Sequence, residues 1–268
     1  MERLRIAFWL LAGIGLTANL IAGQPRVDQS LAVMSSGGFT AAYEELSALF
    51  TEQTRIHLNT RYGASMGGAP SSIPNRLDRA EPADVVILAR EGLDHLVMEG
   101  HVLGDSRVDL ASSRIGMAVR EGNQVPDIGT VDAFVEVLRR AESIAYSASA
   151  SGTYLSTSLF PRLGIEEELA LKSTRVVGER VGVVVARGDA EIGFQQVSEL
   201  LPIDGATYVG PIPDDVQRVT TFSAGVTVTA RDPDLARRLI AFLSSEAAAP
   251  IIERTGMAPV SSLTVVRE

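Results

Sequence analysis

Three short segments rich in glycine and hydroxyl side chains are the parts of this sequence whose residue types could do chemistry. They are Ser35–Gly38 (SSGG), Gly63–Gly68 (GASMGG) and Ser147–Thr153 (SASASGT). Hydroxyls and the free amides of a helix's first turn donate hydrogen bonds to an anion without adding charge. The segments therefore indicate a site for an oxyanion or a carboxylate, although Ser36 or Gly38 taken alone could equally cap a helix.

Each segment follows a predicted strand and precedes a predicted helix. The strands are Leu31–Met34, Ile56–Tyr62 and Ile144–Tyr146, and a fourth, Glu191–Phe194, leads directly into Gln195. Alternating strands and helices predict an α/β fold with parallel sheets, and such sheets bind ligands at the carboxyl ends of their strands. We therefore expect the three segments and Gln195 to face one crevice.

The composition limits the kind of ligand and partner. The chain has 268 residues, a formal net charge of −9, no cysteine and three histidines. The negative charge disfavours nucleic acid and anionic membranes as partners. Without cysteine there is no thiol nucleophile and no thiolate metal site. We expect no metal site and no cofactor.

The first 23 residues have the pattern of a secretory signal peptide. Arg3 and Arg5 precede the apolar run Ile6–Leu16, and the small residues Ala22 and Gly23 close the segment. This pattern is typical of a cleaved export signal. We therefore predict a mature protein that begins after Gly23 and works in the periplasm.

The mature chain is predicted to form two doubly wound α/β lobes joined by two crossover strands. Two βα series are connected by extended segments near Ser113–Arg120 and Val219–Thr229. The first lobe would comprise residues 24–119 and 220–268, and the second, inserted lobe residues 120–219. Such an arrangement leaves a cleft between the lobes that can close by a hinge.

The sequence resembles the type II periplasmic solute-binding proteins of the molybdate-binding group over most of the mature chain. That family consists of two α/β lobes with the ligand held between them. The most similar segments are Ser35–Leu46, Gly63–Gly68, Glu81–Ala89 and Ala186–Leu200.

The resemblance also implies where the ligand contacts lie. Ser35 or Ser36, together with Ser65, would contact the ligand from the first lobe. The corner Ser149–Thr153 and the region of Gln195 would contact it from the second.

Other features depart from the molybdate-binding pattern and favour a larger, organic carboxylate. The first corner has two glycines, and Tyr146–Thr153 stands where that group usually has a proline-rich turn. Arg76 follows the second corner and Arg114 precedes a strand. Arginine binds carboxylates through a bidentate fork, although a solvated position is the simpler expectation for each.

The SSGGF variant of the first corner is also similar to aconitate isomerase, a secreted enzyme that resembles molybdate-binding proteins. This second resemblance implies a reaction that moves a double bond between the trans and cis forms of a tricarboxylate. The reaction needs a base for an allylic proton and donors for the developing negative charge. The candidate bases are Tyr146, Tyr154, Glu179 and His57. No spacing selects among them, so the catalytic residues stay unassigned.

The leading prediction is a monomeric periplasmic protein that captures a small anion for an ABC-type importer, with the permease as partner. A periplasmic aconitate isomerase on the same fold is the alternative. The predicted ligand-binding residues are Ser35, Ser36, Gly37, Ser65, Met66, Arg76, Tyr146, Ser149, Ser151, Gly152, Thr153 and Gln195.

Overall fold

A computed structural model describes residues 29–260 of the chain. The predicted signal peptide, Met1–Gly23, lies outside the described residues. Within them, strands and helices alternate along most of the chain and the strands form two separate sheets. None of the helices in this range is both long and apolar enough to cross a membrane. The predicted α/β fold with two lobes is confirmed.

The two sheets are built from short strands connected mostly by short helices. The strands are β1 (Ser30–Ser36), β2 (His57–Gly63), β3 (Val85–Ala89), β4 (Val108–Ser113), β5 (Ile115–Arg120), β6 (Ile144–Ser147), β7 (Ser173–Val176), β8 (Ile192–Gln196), β9 (Ala206–Pro211), β10 (Thr220–Val226) and β11 (Ala258–Pro259). The helices are α1 (Thr40–Thr54), α2 (Ile73–Asp78), α3 (Arg90–Met98), α4 (Val131–Arg140), α5 (Ala150–Tyr154), α6 (Phe160–Arg162), α7 (Glu166–Ala170), α8 (Val181–Ala186), α9 (Val197–Leu200), α10 (Pro233–Leu243) and α11 (Ala249–Arg254).

The sheet of the first lobe has the strand order β11-β4-β10-β3-β1-β2. Strand β1 pairs in parallel with β2 and β3, whereas β10 runs antiparallel to β3 and β4. The register places Ser36 opposite Gly63. The first two hydroxyl-rich corners therefore leave the sheet side by side.

Strand β3 shows how this sheet is covered on both faces. Its alternate residues Val85 and Ile87 pack into the core formed with α1 and α10. Val86 and Leu88 pack into a second core formed with α2 and α3. The near-continuous apolar sequence of β3 is typical of a parallel strand that is buried on both faces.

The sheet of the second lobe has the order β7-β6-β8-β5-β9. The chain enters this lobe at Arg114, between β4 and β5, because β5 pairs with β8 and β9 rather than with the first sheet. By its pairing β5 belongs to the second sheet, whereas the sequence predicts the division between the lobes after residue 119. The chain returns between Pro211 and Thr220, where β10 rejoins the first sheet.

Candidate functional site

The two lobes enclose a cavity of about 670 Å³ between the carboxyl ends of their strands. The segments that follow β1, β2, β6, β7 and β8 all contribute to its wall. The predicted ligand-binding residues that line it are Gly37, Ser65, Ser149, Ser151 and Gln195. The predicted residues that are not part of its lining are Ser35, Ser36, Met66, Arg76, Tyr146, Gly152 and Thr153.

At the first corner the backbone of Gly37 and Gly38 faces the cavity, whereas Ser35 and Ser36 are buried at the end of β1. A 3₁₀ turn over Gly37–Phe39 separates β1 from α1, and the Ser36 hydroxyl makes no capping hydrogen bond to it. Ser36 Oγ is buried without a hydrogen-bond partner among the described residues. A buried hydroxyl without a partner is unfavourable. The Ser36 hydroxyl therefore does not cap the helix, and it is free to donate a hydrogen bond to a ligand next to Gly37.

At the second corner Ser65 brings a buried hydroxyl to the cavity wall. Its Oγ accepts a 2.9 Å hydrogen bond from the amide of Ala89, at the end of β3. Because that bond uses an oxygen lone pair, the hydroxyl proton remains available to an anion.

The third corner places three serines on the wall contributed by the second lobe. Ser147 Oγ accepts a hydrogen bond from the Ser149 amide at 3.1 Å and lies 3.3 Å from Ser151 Oγ. A Cβ atom at Gly152 would overlap the carbonyl oxygen of Ser147. Glycine there lets α5 begin directly against the strand end, which holds the serines in place.

The end of β8 contributes a connected pair of polar side chains to the cavity wall, Gln195 and Glu199. The Val181 amide donates to Gln195 Oε1 at 2.7 Å, and Gln195 Nε2 donates to Glu199 Oε1 at 2.8 Å. The first bond fixes the orientation of the amide, so that its NH₂ group points at the carboxyl. Glu199 belongs to α9 and packs against Gly37 of the first lobe, where a Cβ atom would overlap Oε1.

Burial of Glu199 raises the pKa of its carboxyl from 4.5 to about 7. The charge of Arg180, the Gln195 side chain and the Gln196 amide oppose this rise but do not cancel it. A carboxyl with a pKa near neutrality can both accept and donate a proton at working pH. The sequence prediction missed Glu199, although its spacing of four from Gln195 at a strand end was a readable signal.

Two arginines of the second lobe, Arg175 and Arg180, also line the cavity and were not predicted. Arg175 Nη2 donates to the carbonyl oxygen of Ala148 at 3.1 Å. The neighbouring carboxylate of Glu179 is held by Arg187 through bonds of 2.8 and 3.1 Å, and the pairing lowers the pKa of Glu179. Within residues 29–260 neither Arg175 nor Arg180 forms a salt bridge, so both guanidinium groups can donate to a bound anion.

Arg76 and Arg114 are both engaged outside the cavity. Arg76 forms a 3.0 Å salt bridge with Glu81 and donates to the carbonyl of Ser71. Arg114 pairs with Asp214 where the chain crosses between the lobes. Both guanidinium groups are therefore paired with carboxylates of the protein at positions outside the cavity lining.

Three of the four candidate bases also lie away from the cavity lining. The Tyr154 hydroxyl is buried and donates to the carbonyl of Val216 at 2.9 Å. Tyr146 packs edge to face on Phe160, and His57 is exposed at the start of β2. In the described range no cluster of three histidine, aspartate or glutamate side chains is arranged to hold a metal ion.

Two α/β lobes with two crossings and a ligand-sized cavity between strand ends define a cleft-binding protein of the solute-binding class. The chain belongs to the family of bacterial extracellular solute-binding proteins, which matches residues 31–258. The family predicted from the sequence is confirmed.

An aconitate isomerase from a Pseudomonas species is 46% identical to this chain over 241 residues, which cover 90% of this chain and 91% of that protein. Solved structures share the fold at much lower identity. The Azotobacter vinelandii periplasmic molybdate-binding protein superposes with a TM-score of 0.70 at 19% identity, covering 85% of this chain and 98% of its own. The Campylobacter jejuni protein PEB3 with bound L-phospholactate gives 0.65 at 15% identity, covering 85% and 99%.

Proposed function

We propose that this protein is an aconitate isomerase, which takes the tricarboxylate into the cleft and moves its double bond from one arm to the other. The observation that carries the proposal is the presence of Arg175 and Arg180 in the cavity wall without carboxylate partners in the described chain. Guanidinium groups bind carboxylates strongly and directionally. In a chain of net charge −9, two cavity-lining guanidinium groups outside any salt bridge favour an anionic ligand with several carboxylates.

The 46% identical relative supports the choice of aconitate among such anions, since the matched region includes both lobes and the whole cavity wall. The cavity volume of about 670 Å³ is also in the range that small-molecule sites occupy. A dianion as small as molybdate would leave much of this space unfilled.

The reaction has three requirements that the cleft must meet. Carboxylates must be held, a proton must leave the methylene arm and return to the other arm, and the charge that develops between these steps must be stabilised. The arginines and the Ser65 hydroxyl supply the first and third of these functions. Whether the new double bond is cis or trans depends on how the cleft orients the carboxylate of the arm that loses the proton.

The test uses the purified mature protein and trans-aconitate, followed by proton NMR. We expect cis-aconitate to form, and the same final ratio to be reached from either isomer. Tricarballylate, which has the three carboxylates but no double bond, should raise the melting temperature without reacting. Failure to convert either isomer over a range of pH would overturn the proposal.

A second candidate function is capture of a small anion for an ABC-type importer, and the family to which the chain belongs favours it. Its partner would be a membrane permease, and the protein would act as a periplasmic monomer after removal of the signal peptide. A melting shift with molybdate or sulfate, combined with no conversion of aconitate, would support capture instead.

A further inference from the structure

We propose that Glu199 is the group that takes the proton from one arm of aconitate and returns it to the other. The inference rests on the proposed isomerase function and assigns the residue that performs its proton transfer. It depends first on position: Glu199 lines the cavity, as the serines of the third corner also do.

The carboxyl of Glu199 is held as a positioned reagent. The residue is 9% exposed, and its Oε1 accepts from Gln195, whose orientation is fixed in turn by the Val181 amide. Gly37 provides the space that the same oxygen needs. A long side chain on a short helix is thus restricted to a narrow range of positions.

The other cavity-lining groups that could transfer a proton are less suited to it. Glu179 is bound by both arms of the Arg187 guanidinium, which keeps it ionised and engaged. Burial, followed by the nearby carboxylate of Glu44, raises the pKa of Tyr62 to about 12. Glu44 also lines the cavity but is exposed to solvent, so its carboxyl is not held in place by burial as that of Glu199 is.

Among residues 29–260, Arg180 is the charged group that acts on Glu199, and it does so from the N-terminus of α8. Its positive charge favours the carboxylate, while burial favours the neutral acid and prevails. The two influences leave the carboxyl with a pKa of about 7. Both protonation states are therefore populated near neutral pH, as one group serving as base and then acid requires.

The proton transfer balances without any further reactant. The Glu199 carboxylate bonds to a methylene proton as the C–H bond breaks, and that electron pair forms the new double bond. The electrons of the old double bond shift to the far carbon and its carboxylate. The neutral carboxyl of Glu199 then gives its proton to that carbon, which regenerates the carboxylate.

The experiment compares Glu199→Gln with Glu44→Gln and the wild-type protein. We expect Glu199→Gln to bind trans-aconitate in calorimetry within a few-fold of wild type, while turnover falls by about 10²–10⁴-fold, the usual contribution of a general base. Glu44→Gln removes an exposed carboxyl from the same cavity and should lower turnover by less than about tenfold, well short of the loss in Glu199→Gln.

The outcomes separate this inference from the proposed function. If the wild-type protein does not convert aconitate, the isomerase function itself fails. If the wild type converts it and Glu199→Gln does so at a similar rate, the assignment of Glu199 is overturned.

The pH dependence of kcat/KM in the wild-type protein tests the assignment even if the Glu199→Gln variant does not fold. The acidic limb of kcat/KM should fall near pH 7, where the free carboxyl titrates. A kcat/KM that stays constant between pH 5 and 9 would overturn the assignment without any variant.

Discussion

Gln195 donates a 2.8 Å hydrogen bond from Nε2 to Oε1 of Glu199, four residues further along the chain. Strand β8 ends between them and α9 begins, so the donor comes from a strand and the acceptor from a helix. Because Gln195 Oε1 is already bonded to Val181, the amide can present only its NH₂ group. Gln195 is therefore a positioning residue that favours the ionised form of Glu199.

Replacing Gln195 by leucine should move the pH profile of the isomerase. The hydrogen bond from Gln195 lowers the pKa of Glu199, so its loss should raise that pKa further. Since the base must be ionised, the acidic limb of kcat/KM should shift to higher pH. The profile should be measured with trans-aconitate, and an unchanged limb would mean that Gln195 has no influence on the ionising group.

Replacing Gly37 by alanine should impair turnover more than substrate binding. The added methyl would overlap Glu199 Oε1 and force the carboxyl to move. Overpacking of this kind costs about 1–3 kcal/mol, which corresponds to roughly five- to 150-fold in kcat. Gly68→Ala is the matched control, because Gly68 lines the same cavity and a Cβ there meets nothing within 4 Å. Equal kinetics for the two variants would contradict the close contact.

The two unpaired arginines should be distinguishable by their effects. Arg175→Gln and Arg180→Gln should each weaken aconitate binding by about 1.5–3 kcal/mol, the value of a charged hydrogen bond. Only Arg180→Gln should also move the acidic limb to higher pH, because Arg180 is the charge that lowers the pKa of Glu199. Calorimetry together with pH profiles tests both statements, and unaltered affinity in both variants would remove the arginines from the site.

Ser36→Ala should weaken ligand binding without lowering the stability of the ligand-free protein. The Ser36 hydroxyl has no partner within the described chain, so its removal leaves no broken bond behind. If a bound carboxylate engages this hydroxyl, affinity should fall by ~1–3 kcal/mol. Ser173→Ala is the control, since Ser173 Oγ is also buried and unpartnered but lies at the far end of β7. Thermal unfolding and calorimetry of both variants would settle whether Ser36 contributes to binding.

The fold could be predicted to a large extent because its apolar patterns are local. The helix Val131–Arg140 shows this, because its start is marked in the sequence by the capping residue Thr130, whose Oγ1 accepts from the Ala133 amide. Strand β4 was not predicted, because Asp109 and the serines at its end interrupt the apolar run. The sheet to which β5 belongs could not be predicted because this strand is apolar almost throughout, and only its pairing partners identify that sheet.

The site was harder to predict because its contacts join distant parts of the chain. The carboxyl of Glu199 is positioned against Gly37. Gly37 is distant in the sequence and belongs to the other lobe. Arg175 and Arg180 look like ordinary surface charges in the sequence, and only the cavity shows that neither has a carboxylate to bind. The hydroxyl corners, in contrast, were recognisable because each one directly follows its own strand.

When Glu199 and Gly37 are in contact, the carboxyl of Glu199 binds a proton more tightly than it would in water. Glu199 is carried by the second lobe and Gly37 by the first, and burial between them raises the pKa of the carboxyl to about 7. A movement that parts them returns the carboxyl to water, where its pKa falls and the proton leaves. By thermodynamic linkage, acidification then favours closure and alkaline conditions favour opening. The pH of the surrounding compartment would set how long the cleft remains shut on its ligand.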